Sequence, residues 1–293
     1  MRIYIIGLFI FTCVFTALLL SPFSLHLRNS VVNTGDPLFY AWNLAHNARS
    51  VSHGFQNLLD TNIFYPETNT LALSDTLFAQ SLIAAPIIYF THNPILAENL
   101  YILLTFPFAA IAMFALIYYL TKHKAASTLA GIFFAFSYPR LTQISHISII
   151  SSQWLPLFVL YLIKFFDFGK FKDIVLCIIF FLLSLASTIY YGVFALIFGL
   201  CIATSFFIKF ARQNRKAFSD RLKKILLILI PALSIILLIV FPYIRLKAEH
   251  PEIHRSLDDA AKRSLRLIDY FTVLPTSIMG TIGLPKSTND TAS

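Results

Sequence analysis

Asp36 stands at a position suited to taking a proton. It comes soon after the first long apolar run and is followed by Pro37, which places it at the start of a helix. A carboxylate there has two uses. It caps the helix, since Asp is a preferred cap and Pro a preferred first helical residue, or it serves as a general base at the edge of a lipid surface. Asp60, Glu67 and Asp75 follow in the same stretch. Singly these are solvated or capping groups; a pair that includes Asp75 can hold a divalent metal, a hard cation that prefers carboxylate oxygens.

A second group lies at Tyr138-Pro139-Arg140 and His146. Arg140 is the sole Lys or Arg between Lys124 and Lys164, and an ionisable side chain at the end of an apolar run needs a reason. Its guanidinium either snorkels to lipid headgroups or grips a phosphate through paired N–H donors. His146 either assists it or anchors at the interface. A third group, Arg245, Lys247, His250, His254, Arg255 and Arg266, follows the last apolar run. It reads as a solvated surface helix or as a cationic patch facing an anionic headgroup. Glu98, Trp154 and the aromatic residues at the ends of apolar runs read as packing and interfacial belt. Soluble-enzyme signatures are absent: the sequence holds no Gly-rich phosphate loop, no His-Glu-x-x-His, no Cys-x-x-Cys and no Gly-x-Ser-x-Gly.

The elements that must position these residues are set by composition. Hydrophobic residues make up 57% of the chain and charged ones 13%, with a mean hydropathy of +0.73. A soluble domain carries about 25% charged residues, so a water-soluble fold is excluded. The apolar residues come in runs near the ~20 residues that cross a bilayer core, and a backbone in lipid must satisfy its own amides, which makes these runs helices. The chain is thus expected to be all-α, a polytopic helical bundle. The formal charge of +9 belongs mostly to Lys and Arg flanking the apolar runs, where it orients the bundle; it does not point to nucleic acid. Cys13, Cys177 and Cys201 sit inside apolar runs and read as passive helix residues. Arg2 and the run behind it resemble a signal peptide, but the apolar stretch continues to about Phe23 without a small-x-small cleavage site, so an uncleaved first span is expected.

Seven spans are expected, at 3–23, 95–120, 125–140, 147–164, 174–190, 192–208 and 225–244. The segment 76–90 is short and interrupted by Pro86. If it stays on one side, the loops holding Lys122 and Lys124, then Lys164 to Lys172, then Lys209 to Lys224 all fall in the cytoplasm, as the positive-inside rule requires. The N-terminus is then cytoplasmic and two segments are outside: a first loop, 26–94, and a C-terminal segment, 245–293. In the first loop two helices are expected to lie flat on the membrane, one starting at Asp36-Pro37 and one at Ser74-Asp75. The first would turn Leu38, Ala41, Trp42, Ala45 and Ala48 to lipid, with Asp36, Tyr40, Asn43 and Asn47 on the opposite, polar face. Residues 286–293 read as a polar tail.

This arrangement resembles the GT-C superfamily of membrane glycosyltransferases. The resemblance covers most of the chain and rests on Gly35-Asp36-Pro37-Leu38-Phe39-Tyr40-Ala41-Trp42, Asn62-Ile63-Phe64-Tyr65-Pro66, Ala135-Phe136-Ser137-Tyr138-Pro139-Arg140 with His146, Ser184 to Gly192, and Arg255-Ser256 to Tyr270. It implies an inner- or plasma-membrane enzyme that transfers a sugar from a polyprenyl-phosphate donor to a hydroxyl of a glycan, lipid or protein acceptor outside the cytoplasm, inverting the anomeric carbon. By position Asp36 would be the base, with Tyr40, Tyr65, Arg140, His146, Arg245 and Arg255 contacting substrate. Members often carry an acidic pair linked to a divalent metal, whereas Asp36 has no acidic neighbour before Asp60. They also usually continue with more spans and a folded outer domain, so this chain reads as a fragment or as a relative that has lost acceptor recognition. The competing readings are a lipid-linked saccharide flippase or other transporter, which calls for symmetric halves and ionisable groups at mid-membrane, and a non-catalytic membrane subunit.

Overall fold

A computed structural model of the chain describes residues 1–213, 215–252, 256–262 and 264, with the side chains at 209–218, 259, 260 and 262 outside the description. Every regular element among the described residues is helical. The chain divides into two units, Met1–Leu246 and Lys247–Ser293. In the second, a short helix spans Leu257–Lys262 and His250 contacts Glu252 at 3.1 Å.

The first unit is built on α1 (Arg2–Leu19), α2 (Asp36–Ser52), α3 (Phe78–Thr91), α4 (Pro94–Thr121), α5 (Lys124–Ala135), α6 (Tyr138–Thr142), α7 (Ile147–Ile150), α8 (Trp154–Phe168), α9 (Phe171–Ser187), α10 (Ile189–Gln213) and α11 (Arg215–Glu249), whose last residues run into the second unit. Five segments are long and apolar enough to cross a membrane: Arg2–Leu19, Pro94–Thr121, Ile147–Phe168, Ile189–Ile208 and Ser219–Glu249. Their outward surfaces are apolar. On α1, Ile3, Ile6, Ile10, Val14 and Leu18 are exposed while Thr12 and Thr16 are buried. The two hydroxyls bond back to Leu8 O and Thr12 O, each at 2.7 Å. Such a surface suits a hydrocarbon solvent and not water.

Two of the seven expected spans are shorter helices. α5 has 12 residues and α9 has 17. α5 ends at Ala135 because Pro139, four residues on, has no N–H for the Ala135 carbonyl and its ring would clash with it, and the chain restarts as α6 at Tyr138 with Ser137 as its cap residue. The segment 76–90 forms the 14-residue α3, about 21 Å long against a hydrocarbon core of about 30 Å. Its Leu82, Tyr89 and Phe90 are exposed, and its Ala79, Gln80, Ser81 and Ala84 are buried.

α4 is the hub, packed by α1, α2, α3, α5, α7 and α8. Its contact with α5 depends on small residues: a Cβ on Gly131 would stand 2.6 Å from the carbonyl oxygen of Ala110, so only glycine admits the approach. Leu8, Ala109, Ala110, Phe114 and Ala135 pack as one cluster around it.

The bundle has two distinct ends. At one, Lys122 and Lys164 lie over the Tyr119 ring, whose hydroxyl donates to Asp167 at 2.6 Å. There Arg221 Nε donates to Phe166 O at 2.9 Å and Lys224 Nζ to Gly169 O at 2.7 Å, so α11 supplies cations to the orphan carbonyls at the end of α8. The other end gathers α2, the segment before α3, the α6–α7 turn and the α9–α10 junction.

Candidate functional site

At that second end Asp36 opens α2. Gly35 is the cap residue, Asp36 is already helical, and its carboxylate makes no capping bond. Its Oδ2 instead meets His146 Nε2 at 2.7 Å. The Asp36 side chain is 57% exposed and that of His146 34%, so the pair sits at the mouth of the site and not beneath it. His146 is the cap residue of α7, its Nδ1 lies 3.2 Å from Ser145 Oγ, and its ring meets that of Tyr40 edge-on at 6.4 Å between centroids.

Tyr40 is buried, and burial raises its phenol to about 12; the Ser148 hydroxyl opposes the shift, while the carboxylates of Asp75, Asp36 and Glu98 add to it. The phenol therefore remains neutral at physiological pH, a hydrogen-bonding group and not a nucleophile. It also marks where carboxylates from three segments converge. Burial raises the Asp75 carboxyl above its ordinary value, and the nearby hydroxyls of Ser148 and Thr188 partly restore the charged form. Neither hydroxyl meets hydrogen-bond geometry with any partner.

Asp75 does not cap α3, which begins only at Phe78, with Leu77 held at φ +56 before it. Its segment is pinned by donors from elsewhere. Asn43 Nδ2 donates to Asp75 O at 3.0 Å, Asn47 Nδ2 to Thr76 O at 2.8 Å, and Tyr243 Oη to Ser74 O at 3.2 Å. These bonds correct the expected orientation of α2. Tyr40, Asn43, Asn47 and Ser50 are buried against the bundle together with Ala41 and Leu44, whereas Asp36 and Leu38 are exposed. The polar face turns inward because the non-helical backbone at 74–77 carries carbonyls that need donors.

Beneath this lies a buried polar layer. Tyr101 Oη and Ser151 Oγ are 2.8 Å apart, Gln80 Nε2 donates to Ser151 Oγ at 3.0 Å and to Ser187 O at 3.3 Å, and Gln153 Nε2 donates to Tyr101 Oη at 3.2 Å. Tyr191 donates to Ile149 O. Glu98 is fully buried on α4 and neither carboxylate oxygen has a hydrogen-bond partner.

Of the residues expected to act together, Asp36, Tyr40, Asp75 and His146 are brought to one place. Arg140 is buried a layer away. Its Nε donates to Ala135 O at 3.0 Å, its Nη1 to Ile150 O and Ser152 Oγ, and its guanidinium carbon lies 5.2 Å from the Phe106 ring centroid. Only Nη2 is left without a partner. The guanidinium thus ties the end of α5 to the end of α7. Tyr65 is 88% exposed in the first loop, clear of the cluster. Arg245 is exposed on α11. It lies two residues from Tyr243, about 200° around the helix, on the side away from Ser74. Arg255 lies outside the described residues. No cluster of three or more His, Cys, Asp or Glu able to hold a metal occurs among the described residues.

The sequence reading passed over Ser148, Thr188 and Asn43 as chemistry-bearing groups and took Glu98 for packing. A carboxylate five residues into an apolar helix was the available signal for Glu98. Comparison with known proteins adds no assignment: no family model, no curated protein and no solved structure matches the chain.

Proposed function

We propose that the chain is a membrane glycosyltransferase of the GT-C kind, transferring a sugar from a polyprenyl-phosphate donor to an acceptor hydroxyl outside the cytoplasm. The observation that carries the proposal is the Asp36–His146 contact of 2.7 Å. It frees Asp36 from a capping role and fixes one carboxylate oxygen, leaving the other to receive a proton. The carboxylate is exposed enough to meet an acceptor, and it stands beside a desolvated recess where hydrogen bonds and charges act strongly.

In the proposed reaction the acceptor O–H gives its proton to Asp36 as its oxygen attacks the anomeric carbon. The bond from that carbon to the phosphate oxygen breaks, and polyprenyl phosphate departs with the electron pair. Tyr40, Ser148 and Thr188 supply neutral hydroxyls to the sugar. The departing phosphate requires a cation other than Arg140, which is engaged in tying α5 to α7. Asp75 is proposed as a sugar-binding group, and no metal is invoked.

The finer topology belongs to the same proposal: seven crossings, counting α9 and α5 together with α6 (124–142), an inner- or plasma-membrane location and a cytoplasmic N-terminus. The collection of Lys122, Lys164, Arg221 and Lys224 at the end opposite the site supports that orientation. Gln56→Cys should label from outside intact cells and Lys170→Cys only after permeabilisation. For the activity, mass spectrometry of lipid-linked sugars and surface glycans with and without the gene is the test. Loss of the gene should accumulate one lipid-linked sugar and remove one glycan product; unchanged pools would reject the proposal.

A further inference from the structure

α2 carries a second pattern, on a face the Asp36 cluster does not use. Phe39, Trp42, His46, Arg49 and His53 recur at alternating spacings of three and four residues, which puts them on one side of the helix. The rings form a continuous strip: Phe39 and Trp42 lie 5.6 Å apart between centroids, and Trp42 and His46 stack at 6.0 Å and 22°. The strip runs into a cavity of about 470 Å³ lined by Trp42, His46, Arg49, His53, Gln56 and Asp60, with Asn57 and Asn62 at its edge.

The cavity is walled by a loop that folds back on itself. Leu71 N donates to Leu59 O at 3.0 Å, the hydroxyls of Thr61 and Thr70 lie 2.6 Å apart, and Asp60 Oδ1 accepts from Asn69 N at 2.7 Å. His46 Nε2 contacts Leu58 O at 3.2 Å, which joins the loop to the helix. Phe55 and Asn57 both sit at positive φ, +66 and +51, a costly backbone that persists only where the surrounding structure enforces it. Among the described residues the Arg49 guanidinium and the Gln56 and Asn62 amides have no hydrogen-bond or ion-pair partner, so the lining offers donors and acceptors that this chain leaves unused.

We infer that this cavity binds a saccharide, and that it is the acceptor subsite, its glycan lying along α2 with the end to be extended reaching Asp36. The lining fits that chemistry and fits others poorly. A pyranose has an apolar C–H face for an indole ring and a rim of hydroxyls that both donate and accept, which planar amides, a guanidinium and a carboxylate can match. A hydrocarbon chain would meet too many polar atoms, and a polyanion would meet Asp60. The register also fits, since α2 advances about 9 Å from Asp36 to Trp42 and about 20 Å to Arg49, the reach of a short glycan. The identity of the ligand as acceptor rests on the glycosyl-transfer proposal; its binding does not.

The chain holds two tryptophans, Trp42 and Trp154, so Trp154→Phe leaves Trp42 as the sole emitter. The full chain bearing that substitution, in nanodiscs, is titrated with a panel of disaccharides and tetrasaccharides of glucose, galactose, mannose, N-acetylglucosamine and glucuronic acid. At least one should quench Trp42 saturably, and Arg49→Ala should weaken that response about tenfold, the loss of one charge-assisted hydrogen bond. No quench by any sugar, a quench indifferent to Arg49→Ala, or a response confined to added phosphatidylglycerol would overturn the inference. Binding retained in a chain shown to transfer no sugar would sink the catalytic proposal alone. Transfer retained with full acceptor affinity in Arg49→Ala would sink the subsite alone.

Discussion

The Asp36 carboxylate and the His146 imidazole, carried by different helices, meet at 2.7 Å at the mouth of a recess lined by hydroxyls. The contact gives each a role its own segment does not reveal. Asp36 begins α2 without capping it, and His146 caps α7 through its backbone alone, with its ring turned to the carboxylate. If His146 acts by holding Asp36, the two substitutions are not additive. Asp36→Asn should lower the transfer rate about 10²–10⁴-fold, the usual worth of a general base. His146→Ala should lower it less, and the double variant should be no slower than Asp36→Asn alone. Initial rates of all four proteins check this; additive losses would mean that the histidine works elsewhere.

Asp75 predicts a pH dependence of stability. Burial raises its pKa above the ordinary 3.8, so the folded protein keeps this proton where the unfolded chain has lost it. Stability from this group is therefore intact below the ordinary value and is lost as pH rises through the raised one. Asp75→Asn should flatten the fall, giving a melting temperature at neutral pH equal to or above that of the wild type. Thermal melts from acid to neutral pH measure it, and a variant that melts lower at neutral pH while keeping the wild-type slope would contradict it.

Asn47 satisfies the backbone around Asp75 from one side, donating to Thr76 O at 2.8 Å and to Ser81 Oγ at 2.9 Å. Asn47→Leu keeps the branching and removes the donors, stranding a buried carbonyl at a cost of about 1–3 kcal/mol. Melting temperature should fall, and protease sensitivity should rise within 70–80 before it rises elsewhere.

Gly131 predicts the behaviour of the α4–α5 contact. Any Cβ there overlaps Ala110 O, a backbone atom that cannot swing aside. Gly131→Val should cost at least about 1–3 kcal/mol through overpacking, seen as lower folded yield in detergent. Gly199→Ala is the control, because the nearest atom to its Cβ is a Phe158 ring carbon at 3.0 Å, and it should be milder.

Much of the frame was legible because lipid leaves few alternatives. Long apolar runs had to be helices, and the short run around Pro86 forms the 14-residue α3. The ends of helices were harder. α5 stops at Ala135, since Pro139 cannot donate to the Ala135 carbonyl, yet apolarity alone carried the run to residue 140. The face of α2 was read backwards for a definite reason. An amphipathic pattern says that two faces differ, and only the non-helical carbonyls of Asp75 and Thr76, a tertiary feature, decide that Asn43 and Asn47 turn inward. Arg140 was recognisable as an ionisable group needing a partner. Its partners proved to be Ala135 O, Ile150 O and Ser152 Oγ, which no local pattern announces. The convergence of Asp36 with His146, and of Asp75 with Ser148 and Thr188, depends on how α2 and α7 dock on α4 and α9 on α3 and α8, and has no counterpart in spacing along the chain.

The central claim is that Asp36 is the base of a sugar transfer, and a three-way comparison tests it most directly. Cells lacking the gene are complemented with the wild-type chain, with Asp36→Asn or with Asp75→Asn, each shown to be inserted at equal level, and lipid-linked donor and glycan product are quantified by mass spectrometry. The account predicts that Asp36→Asn accumulates donor to the level of the uncomplemented cells and yields no product, while Asp75→Asn retains measurable transfer. Wild-type donor and product pools in the Asp36→Asn cells would contradict it.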